Sequence, residues 1–133
     1  MAEKIQFELV SPSKLLVSSA VDMVVVPGTE GDFGALPRHA PVIATVRPGV
    51  IDVHDEGKVA NRIFVAGGFA EVNEERITVL AEEAIPVSEL TAEAAGERLK
   101  AAQEALNDAR TEADKAAAEK RIAVAVAMQA AAA

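Results

Sequence analysis

A chain of 133 residues suits one ordinary domain, or a small domain with an appendage. Its net charge of -8 argues against nucleic acid, which needs a basic face, and against anionic lipid as the main partner. The absence of tryptophan and tyrosine lowers sugar-binding and single-strand-binding readings, and the absence of cysteine excludes disulfides and thiolate metal sites.

The chain opens Met1-Ala2-Glu3-Lys4-Ile5-Gln6, without the apolar core of a signal peptide. Ile5, Phe7 and Leu9 then alternate with Gln6, Glu8 and Val10, the period of a half-buried strand. Pro12-Ser13-Lys14 turns the chain into strands at Leu15-Leu16-Val17 and over residues 21–26. The β-branched run stops at Pro27-Gly28. A loop with glycine at every third position follows (Gly28, Gly31, Gly34), closed by a corner between Pro37 and Pro41. Glycine reaches backbone angles closed to other residues and proline fixes its own, so this loop is expected to have a defined shape. Val50 and Val53 belong to a further strand that turns at Asp55-Glu56-Gly57-Lys58. Ile63-Phe64-Val65, Phe69-Ala70-Glu71-Val72 and Arg76-Ile77-Thr78-Val79-Leu80 follow, separated by Gly67-Gly68 and Asn73-Glu74-Glu75. Short strands with turn signals between them predict a sandwich or barrel over residues 1–86.

Pro86 marks a change of pattern, because proline and its predecessor resist helix. Of the forty-two residues from 92 to 133, eighteen are alanine, and Glu, Lys, Arg and Gln fill much of the rest. Residues 87–133 are therefore expected to form a helical hairpin, over about 91–106 and 109–129, with Thr91 as N-cap and a weak break at Asn107-Asp108. Leu99 and Leu106 would share one face with Ala95 and Ala102. The second helix would offer Ala113, Ala117, Val124 and Met128 on one side, with Ile122 and Val126 on another. The charge-free run at residues 122–133 is too short to span a bilayer. A soluble, cytoplasmic α+β protein is expected.

Catalytic and cofactor chemistry finds little support. The glycine loop lacks the lysine of a phosphate-binding loop, carries Glu30 and Asp32, and is not followed by a helix signal. Asp52 and His54 share a strand face near Asp55 and Glu56, a set that reads as solvated acids at a hairpin rather than a metal site. His39 sits in the Pro37–Pro41 corner with no serine or carboxylate at a recognisable spacing. Neither a catalytic role nor a cofactor nor a metal is expected. Arg110, Lys115, Lys120 and Arg121 on the second helix read either as part of a solvated mixed-charge face, with Glu112, Asp114 and Glu119 among them, or as a basic stripe for an acidic partner.

The run Val25-Val26-Pro27-Gly28-x-x-Gly31-x-x-Gly34-x-x-Pro37-x-His39-Ala40-Pro41 resembles the signature of the epsilon subunit of the rotary proton-translocating ATP synthase, called delta in mitochondria. Arg47-Pro48-Gly49-Val50, Ala66-Gly67-Gly68-Phe69-Ala70-Glu71-Val72 and Ile77-Thr78-Val79-Leu80-Ala81-Glu82 are similar to other segments of that family. The resemblance implies an N-terminal β-sandwich of about ten short strands over 1–86 and a C-terminal antiparallel two-helix hairpin over 87–133. It implies a non-catalytic rotor-stalk subunit that links gamma to the c-ring and couples proton flow to ATP synthesis. Glu30, Gly31 and Asp32 would face the c-ring polar loops, and Ser11 and His39 the gamma subunit. The helices would reach the alpha and beta subunits and restrain ATP hydrolysis; if they form a basic stripe rather than part of a solvated mixed-charge face, Arg110, Lys115, Lys120 and Arg121 would be the inhibitory stripe. Contact with the membrane would come only through the complex, on the cytoplasmic face of the inner membrane. The family's ATP-binding helix start, Leu/Ile-Asp-x-x-Arg-Ala, survives here only as Leu90, Thr91, Ala94 and Ala95: the aspartate has become Thr91 and the arginine Ala94. Phosphate recognition loses its main charged side chain, so ATP sensing is not expected. The alternatives are a β-sandwich protein-binding module of another complex, and a small enzyme that pairs His39 with Asp32.

Overall fold

Alternation in the first strand sets the interior of the molecule. In the computed structural model, which describes residues 3–133, β1 (Ile5–Ser11) turns Ile5, Phe7 and Leu9 fully inward and leaves the residues between them on the other face. β2 (Lys14–Val21) returns antiparallel beside it, and β3 (Met23–Gly28) begins two residues later. The expected single strand over 21–26 is thus divided at Asp22. Its amide donates to the His54 carbonyl (3.0 Å) and its carboxylate accepts from the Glu56 amide (2.9 Å), which bends the chain from one layer to the other.

The glycine-rich segment, read from sequence as a shaped loop, is a β-hairpin. β4 (Gly31–Ala35) pairs with β3 along its length, from Val24↔Ala35 to Gly28↔Gly31, around the turn Thr29-Glu30. Neither turn residue has a positive φ; Gly31 takes that requirement, at φ 123°. β5 (Val42–Val46), β6 (Gly49–Asp55), β7 (Lys58–Val65), β8 (Gly68–Val72), β9 (Arg76–Ala81) and β10 (Ala84–Pro86) complete the sheets.

One layer runs β10-β7-β6-β3-β4 and the other β5-β8-β9-β1-β2; they meet through the single pair Gly28↔Val46. All neighbours are antiparallel except β1 and β9, which lie parallel. Between the layers lies an apolar core that includes Phe7, Leu9, Val24, Val26, Ile51, Val65, Val72, Ile77 and Val79. The fold is the β-sandwich, with two C-terminal helices, that the sequence predicts.

A 3-10 turn at Val87–Glu89 leads to α1 (Ala92–Asp108), and α2 (Glu112–Ala132) returns antiparallel along it. The helices lie on the outer face of β6-β7-β10. Phe64 points out from between Ile63 and Val65 and is fully buried against Ala66, Ala95 and Met128, with Ile85, Leu90 and Val124 around them. α1 runs through the expected break at Asn107-Asp108, and the chain turns over residues 109–111. Thr91 caps α1 as expected, and Thr111 caps α2, accepting from the Asp114 amide (3.0 Å). On α2 the buried residues are Ala118, Ala125 and Met128, while Ala113 and Ala117 are exposed. Met128 and Val124 face inward as expected, but Ala118 and Ala125 take the place of Ala113 and Ala117, because alanines on every side leave the 3.6-residue period without a marked apolar face.

Candidate functional site

One outer face of the sandwich is covered by the helices and the other is open. On the open face, register sets Thr45 of β5 opposite Phe69 of β8, Phe69 opposite Leu80 of β9, Leu80 opposite Val10 of β1, and Val10 opposite Leu15 of β2. This row crosses the whole layer. Ile43 lies beside it, opposite Glu71. Ile43 is 74 % exposed, Phe69 57 %, Leu80 54 % and Leu15 57 %. Large apolar side chains gathered on one solvent-facing sheet mark a contact surface. Shallow hollows flank Phe69 and Leu80 on both sides.

Ser11 and His39 border this face at opposite ends. Ser11 ends β1 next to Val10, lines the hollow formed with Phe69 and Leu80, and donates to the Lys14 carbonyl at 3.4 Å. His39 follows a turn in which the His39 amide donates to the Leu36 carbonyl (3.1 Å), with Pro37 and Arg38 at its centre. Arg38 holds φ 66°, an uncommon conformation for arginine. Its amide donates to the Glu74 carbonyl (2.7 Å) and its guanidinium to Glu3 (2.6 Å), which fix the corner against the β8–β9 turn. His39 Nδ1 lies 2.6 Å from the Ala40 carbonyl.

Glu30, Gly31 and Asp32 sit together at the tip of the β3–β4 hairpin. The tip hangs on the end of β5: the Thr29 amide donates to the Thr45 carbonyl (2.9 Å) and the Arg47 amide to the Pro27 carbonyl (2.8 Å). Thr45 also opens the apolar row, so tip and open face are joined through one strand. Asp32 pairs with Arg47 rather than with His39, and the two residues share no contact that would make them an acid–base pair. Among the described residues, no three His, Cys, Asp or Glu side chains gather around a point, and no charged or polar side chain is buried. Asp52 accepts from Arg62 (2.9 Å), and Asp55 pairs with Lys4.

The helix start is used structurally. Thr91 Oγ1 accepts from the Ala94 amide (3.1 Å), Ala95 is buried in the cluster around Phe64, and Leu90 packs at its edge. Arg110 lies in the link before α2, not on it. Lys115, Lys120 and Arg121 are exposed on α2, but successive steps of five residues and one residue spread them around the helix rather than along one stripe. Lys120 pairs with Glu82 at 3.0 Å. Arg98 forms a two-pronged ion pair with Glu83 (2.9 and 2.5 Å), which raises its guanidinium further above its already high range. These contacts join hairpin to sandwich, and the sequence reading missed them because the partners are 15 and 38 positions apart. It also missed the apolar row. A signal was present: Val79 and Leu80 are adjacent large apolar residues, as Val10 is to Leu9, so both faces of those strands are apolar.

The family model for the ATP synthase delta/epsilon chain β-sandwich domain matches residues 4–87. Over 131 residues, 98 % of each chain, this chain is 76 % identical to the ATP synthase epsilon chain of Paramagnetospirillum magneticum. It is 60 % identical to that of Rhodospirillum rubrum, again over 98 % of each. Among solved structures, a chain from the mitochondrial ATP synthase OSCP/F1/c-ring assembly of Euglena gracilis superposes with a TM-score of 0.80 at 25 % identity, covering 98 % of this chain and 82 % of that one. A chain from the central stalk/c-ring of the Tetrahymena thermophila mitochondrial ATP synthase has the same fold, with a TM-score of 0.70 at 15 % identity over 98 % of both.

Proposed function

The chain belongs to the ATP synthase delta/epsilon family, and on that premise we propose that it ties the gamma subunit to the polar loops of the membrane c-ring. It is a non-catalytic subunit of a membrane-associated enzyme complex, and its place is in the rotor. The open apolar face is the docking surface for gamma. Ile43, Phe69, Leu80, Val10 and Leu15 would be desolvated there, with Ser11 and His39 at the margins. The hairpin tip, with Glu30, Gly31 and Asp32, meets the c-ring.

Torque then passes through a short mechanical path. The tip is bonded to β5, β5 carries Thr45 into the apolar row, and the row spans the layer to β2. Nothing in this role calls for a nucleophile or an acid–base pair; it calls for a stiff body with two contact surfaces. The complex would place the chain on the cytoplasmic face of the inner membrane, with its hairpin in reach of the alpha and beta subunits.

The observation that carries this reading is the cross-strand row Thr45–Phe69–Leu80–Val10–Leu15, left open on the face opposite the one the helices cover. Phe69→Glu places a charge within the row while leaving the interior of the sandwich untouched. Co-purification of gamma with the variant chain should fall at least about tenfold, since burying an unpaired carboxylate is costly. The circular dichroism of the free chain should not change. Undiminished recovery of gamma would remove this face from the interface.

A further inference from the structure

The open face holds one charge that its neighbours do not answer. Register sets a second cross-strand row beside the apolar one: Ile43 of β5, Glu71 of β8, Thr78 of β9 and Glu8 of β1. Two acids stand in it with a threonine between them. Glu8 accepts from the Arg76 guanidinium (3.1 Å). Glu71 is exposed and has no ion pair among the described residues. Large apolar side chains enclose it. Ile43, opposite on β5, is 74 % exposed; Phe69, two residues earlier on the same face of β8, 57 %; Leu80, two residues beyond Thr78, 54 %. A hollow of about 210 Å³ opens between them, walled by Ile43, Phe69 and Leu80, with Glu71 and Thr78 as its polar side.

We propose that this hollow seats one basic side chain of gamma: its aliphatic stem lies against Ile43, Phe69 and Leu80, and its cationic end pairs with Glu71. The proposal rests on the reading of the open face as the gamma contact and names the chemistry that gamma presents there. A body that covers Ile43 and Phe69 also takes Glu71 out of water, and a carboxylate desolvated without a counter-ion is costly. Arg76, on the strand next to β8, is engaged by Glu8, so the counter-charge has to come from the partner. Lysine and arginine suit a hollow of this make, because their methylene stems cover apolar surface while the head keeps a polar partner. The ring of Phe69 adds attraction for the cation. An apolar row supplies area without orientation; one charge pair set within it fixes how the two bodies register.

The full-length chain is titrated onto the gamma-containing complex stripped of it, at several ionic strengths, as parent, Glu71→Gln, Glu71→Leu and Phe69→Glu. Glu71→Gln keeps the shape and loses the charge; binding should weaken at least about fivefold, with a flatter salt dependence. Glu71→Leu extends the apolar surface, yet it should weaken binding at least as much, because the cation of gamma is then buried without a partner. The urea midpoints of both free variants should match the parent, since Glu71 is exposed. Parent-like binding of Glu71→Gln, or tighter binding of Glu71→Leu, with Phe69→Glu still weak, overturns the proposal and leaves the face as the gamma contact. Weakening by the Glu71 variants with none by Phe69→Glu also overturns it, because the charge would then be met outside the hollow. Parent-like binding of all three variants removes the face from the interface, and the seat with it.

Discussion

Gly68 and Gly31 both hold a positive φ, and their surroundings separate them. At Gly68, φ is 140° and a Cβ would lie 2.0 Å from the Leu80 carbonyl oxygen of the neighbouring strand; at Gly31, φ is 123° and nothing lies within 4 Å. Gly31→Ala should therefore cost about 1–2 kcal/mol of backbone strain. Gly68→Ala adds a clash with backbone that cannot step aside, and should cost about 4 kcal/mol or more. Urea midpoints of the two variants give the comparison, and equal midpoints would show that β8 and β9 do not approach so closely. A second residue-scale test lies at the other end of β1. Asp22 accepts from Lys4 and from the Glu56 amide, Lys4 first in effect, and its carboxyl is held below the ordinary carboxylate range. A depressed folded pKa gives stability that is present above the ordinary carboxylate value and lost as pH falls through the depressed one. Lys4→Met should move the Asp22 titration back up toward the ordinary range, as followed by NMR of its side chain. An unmoved midpoint would mean that the Glu56 amide alone sets it.

The two helices form one element, held unevenly. Between them the buried residues are Ala95 and Ala102 on α1 with Ala118, Ala125 and Met128 on α2. Alanine lets helices approach but removes little apolar area from water, at roughly 25 cal/mol per Å². Attachment to the sandwich depends on Phe64 and Met128, assisted by the exposed Arg98–Glu83 and Lys120–Glu82 pairs, which are worth about 1 kcal/mol or less each. Met128→Ala should cost about 2–4 kcal/mol, and the loss should fall on the hairpin. Amide exchange in α1 and α2 should then rise by at least about tenfold while β1, β8 and β9 stay protected. Uniform loss of protection across helices and strands would instead make hairpin and sandwich one cooperative unit.

At the scale of the whole molecule, a two-layer sandwich carries a helical hairpin packed on one outer face. The sandwich has a continuous core, and β5 joins the β3–β4 tip to the open face; the helical hairpin covers the other outer face through a small apolar cluster. If the link at residues 109–111 straightened, about forty residues at roughly 1.5 Å each would reach about 60 Å, carrying Arg110, Lys115, Lys120 and Arg121 away from the sandwich. Docking of those charges on an acidic partner would weaken with salt, since the screening length is about 8 Å at physiological ionic strength. Truncation after Asn107 removes Met128 and the whole of α2. A complex with the truncated chain should hydrolyse ATP at least about twofold faster at low salt than the full-length complex. Equal rates would make the hairpin a cover for Phe64 and no brake.

Much of this was legible in the chain itself. Alternation in β1, the turn signals between strands, Pro86 and the alanine-rich tail determined a sandwich followed by a helical hairpin, because periodicity, turn chemistry and helix propensity are local properties. The Pro27–Pro41 run brought Glu30, Asp32 and His39 forward as candidates. Local patterns could not place Gly31–Ala35 as a strand, since glycine is a poor strand former and only pairing with β3 makes it one. Nor could they tell which alanines of α2 face inward. The partners of charged residues were equally hidden: Arg47 with Asp32, Arg98 with Glu83 and Lys120 with Glu82 meet only after folding. The open row from Thr45 to Leu15 is the clearest case. Five residues from five strands become neighbours through register alone, and sheet register is a property of the assembled layers, set by which side chains the core accepts.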